Sequence, residues 1–216
     1  MPVAGRFSDV LRGYFRRRIA IYAGVVIVLA MGAAFGALAA VRVGDPGRAD
    51  LAAQVQGLLD PPESRRLAAP EEVLHRALVD QVVKTVGVMG LLGLSVIGAP
   101  AVLGFVFFRG FVLGFTGAFL VAHLGWRGAV LALAALLPHN VLAVPAVLVA
   151  GATAAGFSLA AARVLLGRRD INMYHQFLNT LLLLAASAGA LVAAAFLEAY
   201  ITPVLVDAVA RILPAR

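Results

Sequence analysis

The chain has no cysteine, which excludes disulfides and thiolate metal sites and leaves the redox compartment unspecified. Charge is also scarce. Asp, Glu, Lys and Arg make up 13% of the sequence, against roughly 25% in a soluble domain, so a water-facing globular surface is excluded. Catalytic signatures are missing too: there is no HExxH, no Walker loop, no GxSxG elbow and no Rossmann glycine fingerprint. Ser95, Ser158 and Ser187 sit in apolar runs, where bonding to backbone is the default role of a hydroxyl. The four histidines are His75, His123, His139 and His175. Only His123 and His139 fall near one another by topology, and two histidines do not make a zinc site. No catalytic, cofactor-binding or metal-ligating residue is assigned, and no cofactor is implied.

What fills the sequence is apolar: 62% of the residues are hydrophobic and the mean hydropathy is +0.96. Gly90 to Trp126 contains one charge, Arg109, and is nearly long enough for two crossings, since about 20 helical residues span the hydrocarbon core. It holds eight glycines, at 90, 93, 98, 104, 110, 114, 117 and 125, with Gly110 and Gly114 spaced as GxxxG. Small residues let helix backbones approach closely in lipid, so this stretch reads as a tightly packed helical hairpin. Gly32 and Gly36 repeat that spacing in Ile19 to Val41. That uncharged run is too long for a signal h-region of about 7–15 residues and reads as a retained first span. The helix-packing candidates are therefore Gly32, Gly36, Gly93, Gly110, Gly114 and Gly117.

The expected class is all-α: a polytopic membrane bundle of about five transmembrane helices, with a re-entrant or half-length segment and short interfacial helices. Residues 1–18 carry five arginines among apolar residues at helical spacing and read as a basic amphipathic surface helix. Within a single membrane domain the divisions are span 1 at 19–41, a polar loop at 42–80, spans 2 and 3 as a hairpin at 82–126, a re-entrant or half helix at 127–140, span 4 at 141–166, span 5 at 177–197 and a tail at 198–216. Turn signals stand at Gly44–Gly47 and Asp60–Pro62, with a short helix expected over Leu51 to Leu59. Pro70-Glu71-Glu72 suits a helix start that runs on into span 2. The loop carboxylates at 60, 63, 71, 72 and 80 share no evident pocket. Between spans 2 and 3 two turns remain open. If Gly98-Ala99-Pro100 is the bend, Arg109 lies inside the third helix; if Arg109-Gly110 is the bend, Pro100 kinks the second. Pro138-His139-Asn140 is expected to interrupt the next apolar run.

Five spans with a cytoplasmic amino terminus put the whole net charge of +7 on the inside, the loop and tail cancelling outside. This is the arrangement the positive-inside rule requires, so the basic excess is an orientation signal and no nucleic-acid partner is expected. The topology gathers Trp126, Arg127, His139, Asn140, Glu198 and Tyr200 at the outer face. We expect these, with Arg109 and Pro203, to form an internally satisfied clasp, a partner-docking surface, or both.

These residues carry a resemblance. GLSVIG (93–98), RGFVLGFTGAFLV (109–121), GWRG (125–128), LPHN (137–140), FS (157–158) and EAYITP (198–203) together resemble the stage II sporulation protein M family of bacterial membrane proteins. The wider membrane family has PHG followed three residues later by glutamate; Asn140 and Ala143 stand here, and no role is transferred from that glutamate. The resemblance implies a multi-pass protein of the bacterial cytoplasmic membrane, amino terminus cytoplasmic and carboxyl terminus extracytoplasmic. It further implies a non-enzymatic scaffold that recruits stage II sporulation proteins D and P, which are peptidoglycan hydrolases, during engulfment. Membrane lipid is the other expected partner, and a homodimer through the glycine faces is possible. The alternative is a small-molecule or ion transporter or channel around the glycine-rich hairpin and Arg109. Against it, the spans show no acidic residue at mid-depth and no clear inverted repeat.

Overall fold

A computed structural model of the chain describes residues 3–42, 44, 70–95, 98–167 and 172–212, with side chains from residue 19 onward. The surface character of residues 1–18, the turns at 45–47 and 60–62, the helix expected over 51–59, the loop charges at 168–170 and the last four residues lie outside the described residues.

The described residues form helix α1 (Val3–Val41), helix α2 (Pro70–Leu78) running through a π-helical segment π1 (Val79–Gly87) into α3 (Val88–Leu94), then α4 (Gly98–Leu124), α5 (Trp126–Leu165) and α6 (Met173–Phe196), which passes through a second π segment π2 (Leu197–Ile201) into α7 (Thr202–Ile212). Five of the resulting rods, Ile19–Val41, Pro70–Leu94, Gly98–Leu124, Trp126–Leu165 and Met173–Ile212, are long and apolar enough to cross a membrane. The chain is an all-helical, multi-pass bundle.

The glycine pairs explain its tightest seam. A Cβ on Gly32 would lie 2.1 Å from the Phe107 carbonyl oxygen, and one on Gly36 2.0 Å from that of Phe111. In return, a Cβ on Gly110 would lie 2.1 Å from the Leu29 oxygen and one on Gly114 2.0 Å from that of Ala33. Two GxxxG faces thus pack on each other, backbone to backbone, between parallel α1 and α4. Gly93 meets Ala154 on α5 with 2.9 Å to its Cβ, whereas Gly117 has only an ordinary contact with Leu136 at 3.7 Å.

The open turn between spans 2 and 3 falls at Ser95 to Gly98, placing Arg109 inside α4. Ser158 on α5 holds this turn: its hydroxyl donates to the Ser95 carbonyl (2.8 Å) and accepts from the Ala99 N–H (2.9 Å). Arg109 therefore leaves the inside of the charge count. Residues 1–18 and 163–170 then carry +6 on the side that the charge count expects to be cytoplasmic.

The expected re-entrant piece at 127–140 is not a separate element. Trp126–Leu165 is one continuous helix with Pro138 and Pro145 inside it. A proline removes one backbone donor, and membrane helices tolerate this where nearby side chains re-satisfy the freed carbonyls. The carbonyl that Pro138 leaves without its usual donor is that of Ala134; half a turn on, the Asn140 side-chain amide adds a bond to the Leu136 carbonyl at 2.8 Å. The real reversal is at Gly125 (φ 61°), a single-residue turn between α4 and α5 in a backbone region that favours glycine. The tail expected at 198–216 is not a separate piece: π2 carries α6 straight on into α7, which begins at Thr202. It docks by Val206 into a cluster with Ala40, Phe119, Leu120, Leu131 and Ala132 at the Trp126 end of the bundle.

Candidate functional site: a polar chamber inside the bundle

Contacts at the far end of the bundle give a common level. The Ser158 bridge to Ala99 and the edge contact of Phe157 with Phe177 (centroids 6.1 Å) align α4, α5 and α6 there. From that level, at about 1.5 Å per residue, Arg109 lies roughly 15 Å along α4, His139 roughly 27 Å along α5 and Glu198 roughly 31 Å along α6 and π2. The hydrocarbon core is about 30 Å thick. The three residues thus occupy the half of the bundle nearer Trp126, and they face one space.

That space is a chamber of about 330 Å³ whose polar lining is Arg76, Asp80, Gln81, Arg109, Thr116, His139 and Glu198. Both π segments border it, π1 presenting Asp80 and Gln81 and π2 presenting Glu198. A π turn is wider than an α turn and concentrates at functional places in helices. A threonine hydroxyl reaches five residues back at each: Thr85 within π1 donates to the Asp80 carbonyl (3.1 Å), and Thr202 just after π2 to that of Leu197 (3.3 Å). Pro203, half-buried just after π2, has no N–H to continue a regular ladder.

Within the chamber the partners are unevenly shared. Gln81, almost wholly buried, donates its side-chain amide to the Glu198 carboxylate, and Lys84 donates to Asp80 one turn away. The Arg109 guanidinium has no hydrogen bond or ion pair within reach among the described residues; Glu198 and Asp80 attract it only across the space. The Asn140 amide sits 3.0 Å from His139 Nε2, so that nitrogen accepts and the ring proton rides on Nδ1. That Nδ1, and Gln81 Oε1, are buried without a hydrogen-bond partner. A buried polar group left unpaired costs about 1–3 kcal/mol, and an intramembrane arginine more, so this arrangement is an unusual one for a merely structural core.

Below the chamber the buried residues are mostly apolar, with Thr153, Ser158, Thr180 and Ser187 the buried polar ones among the described residues. Met89, Val102, Val106, Val147 and Leu191 are almost wholly buried there and pack into one apolar cluster with Val25.

The six residues expected at one face are divided by this geometry. His139 and Glu198 join Arg109 at the chamber, with Asn140 behind His139. Trp126 lies about 20 Å further along α5 at 1.5 Å per residue, because that helix does not fold back at Pro138. Arg127 sits 6.0 Å over the exposed Trp126 ring. Tyr200 is exposed and stacks on Phe196 at 6.2 Å. Of the loop carboxylates, Asp80 reaches the chamber, while exposed Glu71 and Glu72 share with it a more open pocket along α2 with His75, Arg76 and Lys84, contrary to the expectation of no common pocket; residues 60 and 63 lie outside the described residues. Gln81 and Arg76 escape sequence reading altogether, since a single polar residue in a helix start has no motif. Among the described residues no group of three or more His, Asp or Glu is placed to hold a metal ion.

Compared with known families, residues 25–203 match the family model described as stage II sporulation protein M. No curated protein matches the chain, and no solved structure matches it.

Proposed function

Because the chain belongs to the stage II sporulation protein M family, and is thereby a sporulation-related multi-pass membrane protein, we propose that it is a non-enzymatic scaffold recruiting peptidoglycan hydrolases during engulfment. In this reading it lies in the bacterial cytoplasmic membrane with its amino terminus cytoplasmic. The Trp126 end then faces the cell wall, where stage II sporulation proteins D and P act. Tethering raises the effective concentration of such enzymes at the wall with no chemistry from the tether itself.

The observation that carries the proposal is the platform at that end. α7 is anchored by Val206 yet leaves Val204 and Ile212 65% and 76% exposed, next to exposed Tyr200 and Leu205. An amphipathic helix fixed on a rigid bundle offers aromatic and aliphatic anchors of the kind that dominate protein interfaces. The test is affinity capture from detergent-solubilised membranes of cells entering sporulation. Hydrolases D and P are expected in the eluate of the wild type and depleted when Val204, Leu205 and Ile212 are changed to serine. Recovery of the chain alone would remove the proposal's basis.

The Arg109 chamber favours a second reading, a transporter or channel. The acidic residue missing from the spans by sequence is supplied at the chamber wall by Glu198. The apolar cluster of Met89, Val102, Val106 and Val147 beneath it weighs against a continuous path. Solute flux in liposomes that disappears in Arg109→Ala would favour transport over scaffolding.

A further inference from the structure

The bundle stands taller than the bilayer. Leu29 of α1 meets Gly110 of α4, and the two lie equally far along their helices from Arg18 and from Ala99. The charged start of α1 therefore ends at the level of the Ser158 bridge to Ala99, and about 30 Å of hydrocarbon above that level ends well short of Trp126. On α5, Trp126, Leu133, Leu137 and Val141 recur at helical spacing as one stripe and are 56–65% exposed. At about 1.5 Å per residue from Phe157, Val141 stands about 24 Å up, Leu137 about 30 Å, Leu133 about 36 Å and Trp126 about 46 Å. Acyl chains cover Val141, but none reaches Leu133 or Trp126.

The stripe runs down into a groove of about 290 Å³ between α5 and α6, edged by Val141, Leu142 and Pro145 on one side and by Ala186 and Ala190 on the other. Beside it α6 turns Ala186, Gly189 and Ala193 outward, and exposed Phe196 and Tyr200 follow above them at the same alternating three- and four-residue spacing. A Cβ on Gly189 would meet nothing within 4 Å. Small residues at a lipid-facing position bring no gain with acyl chains, whereas they let another helix backbone come close, as in the α1–α4 seam. The glycine pairs of that seam are spent on each other, so the outward face of α6 is the one left for a second molecule.

We infer that this α5–α6 face is covered by a second copy of the chain, related to the first by a two-fold axis along the membrane normal. The occupant has to offer small residues inside the bilayer and apolar ones for about 15 Å above it, at matching heights. A water-soluble domain reaches only the upper part, and a lone apolar span ends at the membrane surface. A second copy inserted the same way presents the same profile at the same depth, as an isologous contact requires. The area suffices too. The four α5 residues with Phe196 and Tyr200 expose on the order of 700 Å² of side chain, close to the roughly 800 Å² per partner of a standard interface. The pairing uses no residue of α7 and does not depend on hydrolase recruitment.

The test uses the full chain, whose lack of native cysteine gives a clean background. In native membranes treated with a membrane-permeant oxidant, Gly189→Cys is expected to form a disulfide-linked dimer, because the two backbones come within bridging distance there. Gly104→Cys, exposed on α4 with nothing within 4 Å of its Cβ, is expected to stay monomeric and measures random collision. Native mass spectrometry from nanodiscs then reads the uncross-linked state, with wild type expected as a dimer. Gly189→Leu fills space that is empty within one chain and is expected to weaken pairing by about ten- to a hundredfold with helical content unchanged. Leu133→Glu is expected to weaken it from above the bilayer, so the inference stays testable if one variant fails to fold. A monomeric wild type, equal cross-linking of the two cysteines, or a dimer indifferent to both Gly189→Leu and Leu133→Glu overturns the inference. Cross-linking of Gly189→Cys to a different protein overturns the second copy as the occupant.

Discussion

Gly110→Ala and Gly104→Ala make the same chemical change in the same helix and are predicted to move stability in opposite directions. Both convert a mid-helix glycine to alanine, which by propensity alone stabilises by about 0.5–1 kcal/mol. At Gly104 nothing lies within 4 Å of the new Cβ, so that gain stands alone. At Gly110 the Cβ arrives 2.1 Å from the Leu29 carbonyl oxygen and 3.2 Å from the Ala33 nitrogen, both rigid backbone atoms. An ordinary C···O contact is about 3.3 Å, so α1 and α4 must part by roughly 1.2 Å. Overpacking of this kind costs about 1–3 kcal/mol. Propensity cancels between the two variants, so that cost is their expected difference. For a chain of this length each kcal/mol shifts the midpoint by about 2–4 °C, giving a gap of roughly 2–12 °C. Thermal unfolding in one detergent, with helical signal as the readout, measures it. Gly110→Ala melting with Gly104→Ala would refute the close-packed seam.

Three further predictions follow from other parts of the bundle. Ser158→Ala leaves the Ala99 N–H without its buried acceptor and is expected to destabilise by about 1–3 kcal/mol, read as a lower unfolding midpoint. Glu198→Ala strips the buried Gln81 amide of its acceptor and should cost a similar amount, while Glu198→Gln, which keeps a carbonyl oxygen there, should cost less; equal melting of the two variants would argue against the Gln81 bond. Because the chain has no native cysteine, Gly44→Cys and Leu166→Cys form a clean pair for labelling in intact cells with an impermeant maleimide. Labelling at 44 and protection at 166 are expected, and the reverse pattern would invert the orientation.

Much of the architecture was readable because it rests on quantities a sequence carries directly. Span number follows from apolar run length, and the α1–α4 seam follows from two GxxxG spacings that turned out to face each other. Pro70-Glu71-Glu72 begins α2 where dipole and proline rules place a helix start. The turn between spans 2 and 3 was not readable, since what closes it is Ser158, about sixty residues away in sequence. Pro138 misled because a proline costs a long membrane helix one backbone bond without ending it when packing against neighbouring helices carries the helix on, and α5 runs through both Pro138 and Pro145. The chamber was half legible. Arg109 was marked as the one charge of an apolar run, and His139 and Glu198 as members of an outer-face cluster, yet the meeting of all three depends on a helix that continues through Pro138 and on two π segments. No periodicity announces a π turn, so Gln81, buried against Glu198 from a segment read as loop edge, carried no signal.

The most direct test of the scaffold proposal is equilibrium binding of the purified extracytoplasmic domains of hydrolases D and P to the full chain held in nanodiscs. The account predicts saturable binding above lipid-only nanodiscs, abolished by the Val204, Leu205 and Ile212 serine variant and preserved in Gly104→Ala. Binding no greater than to lipid alone, from either hydrolase, would contradict it.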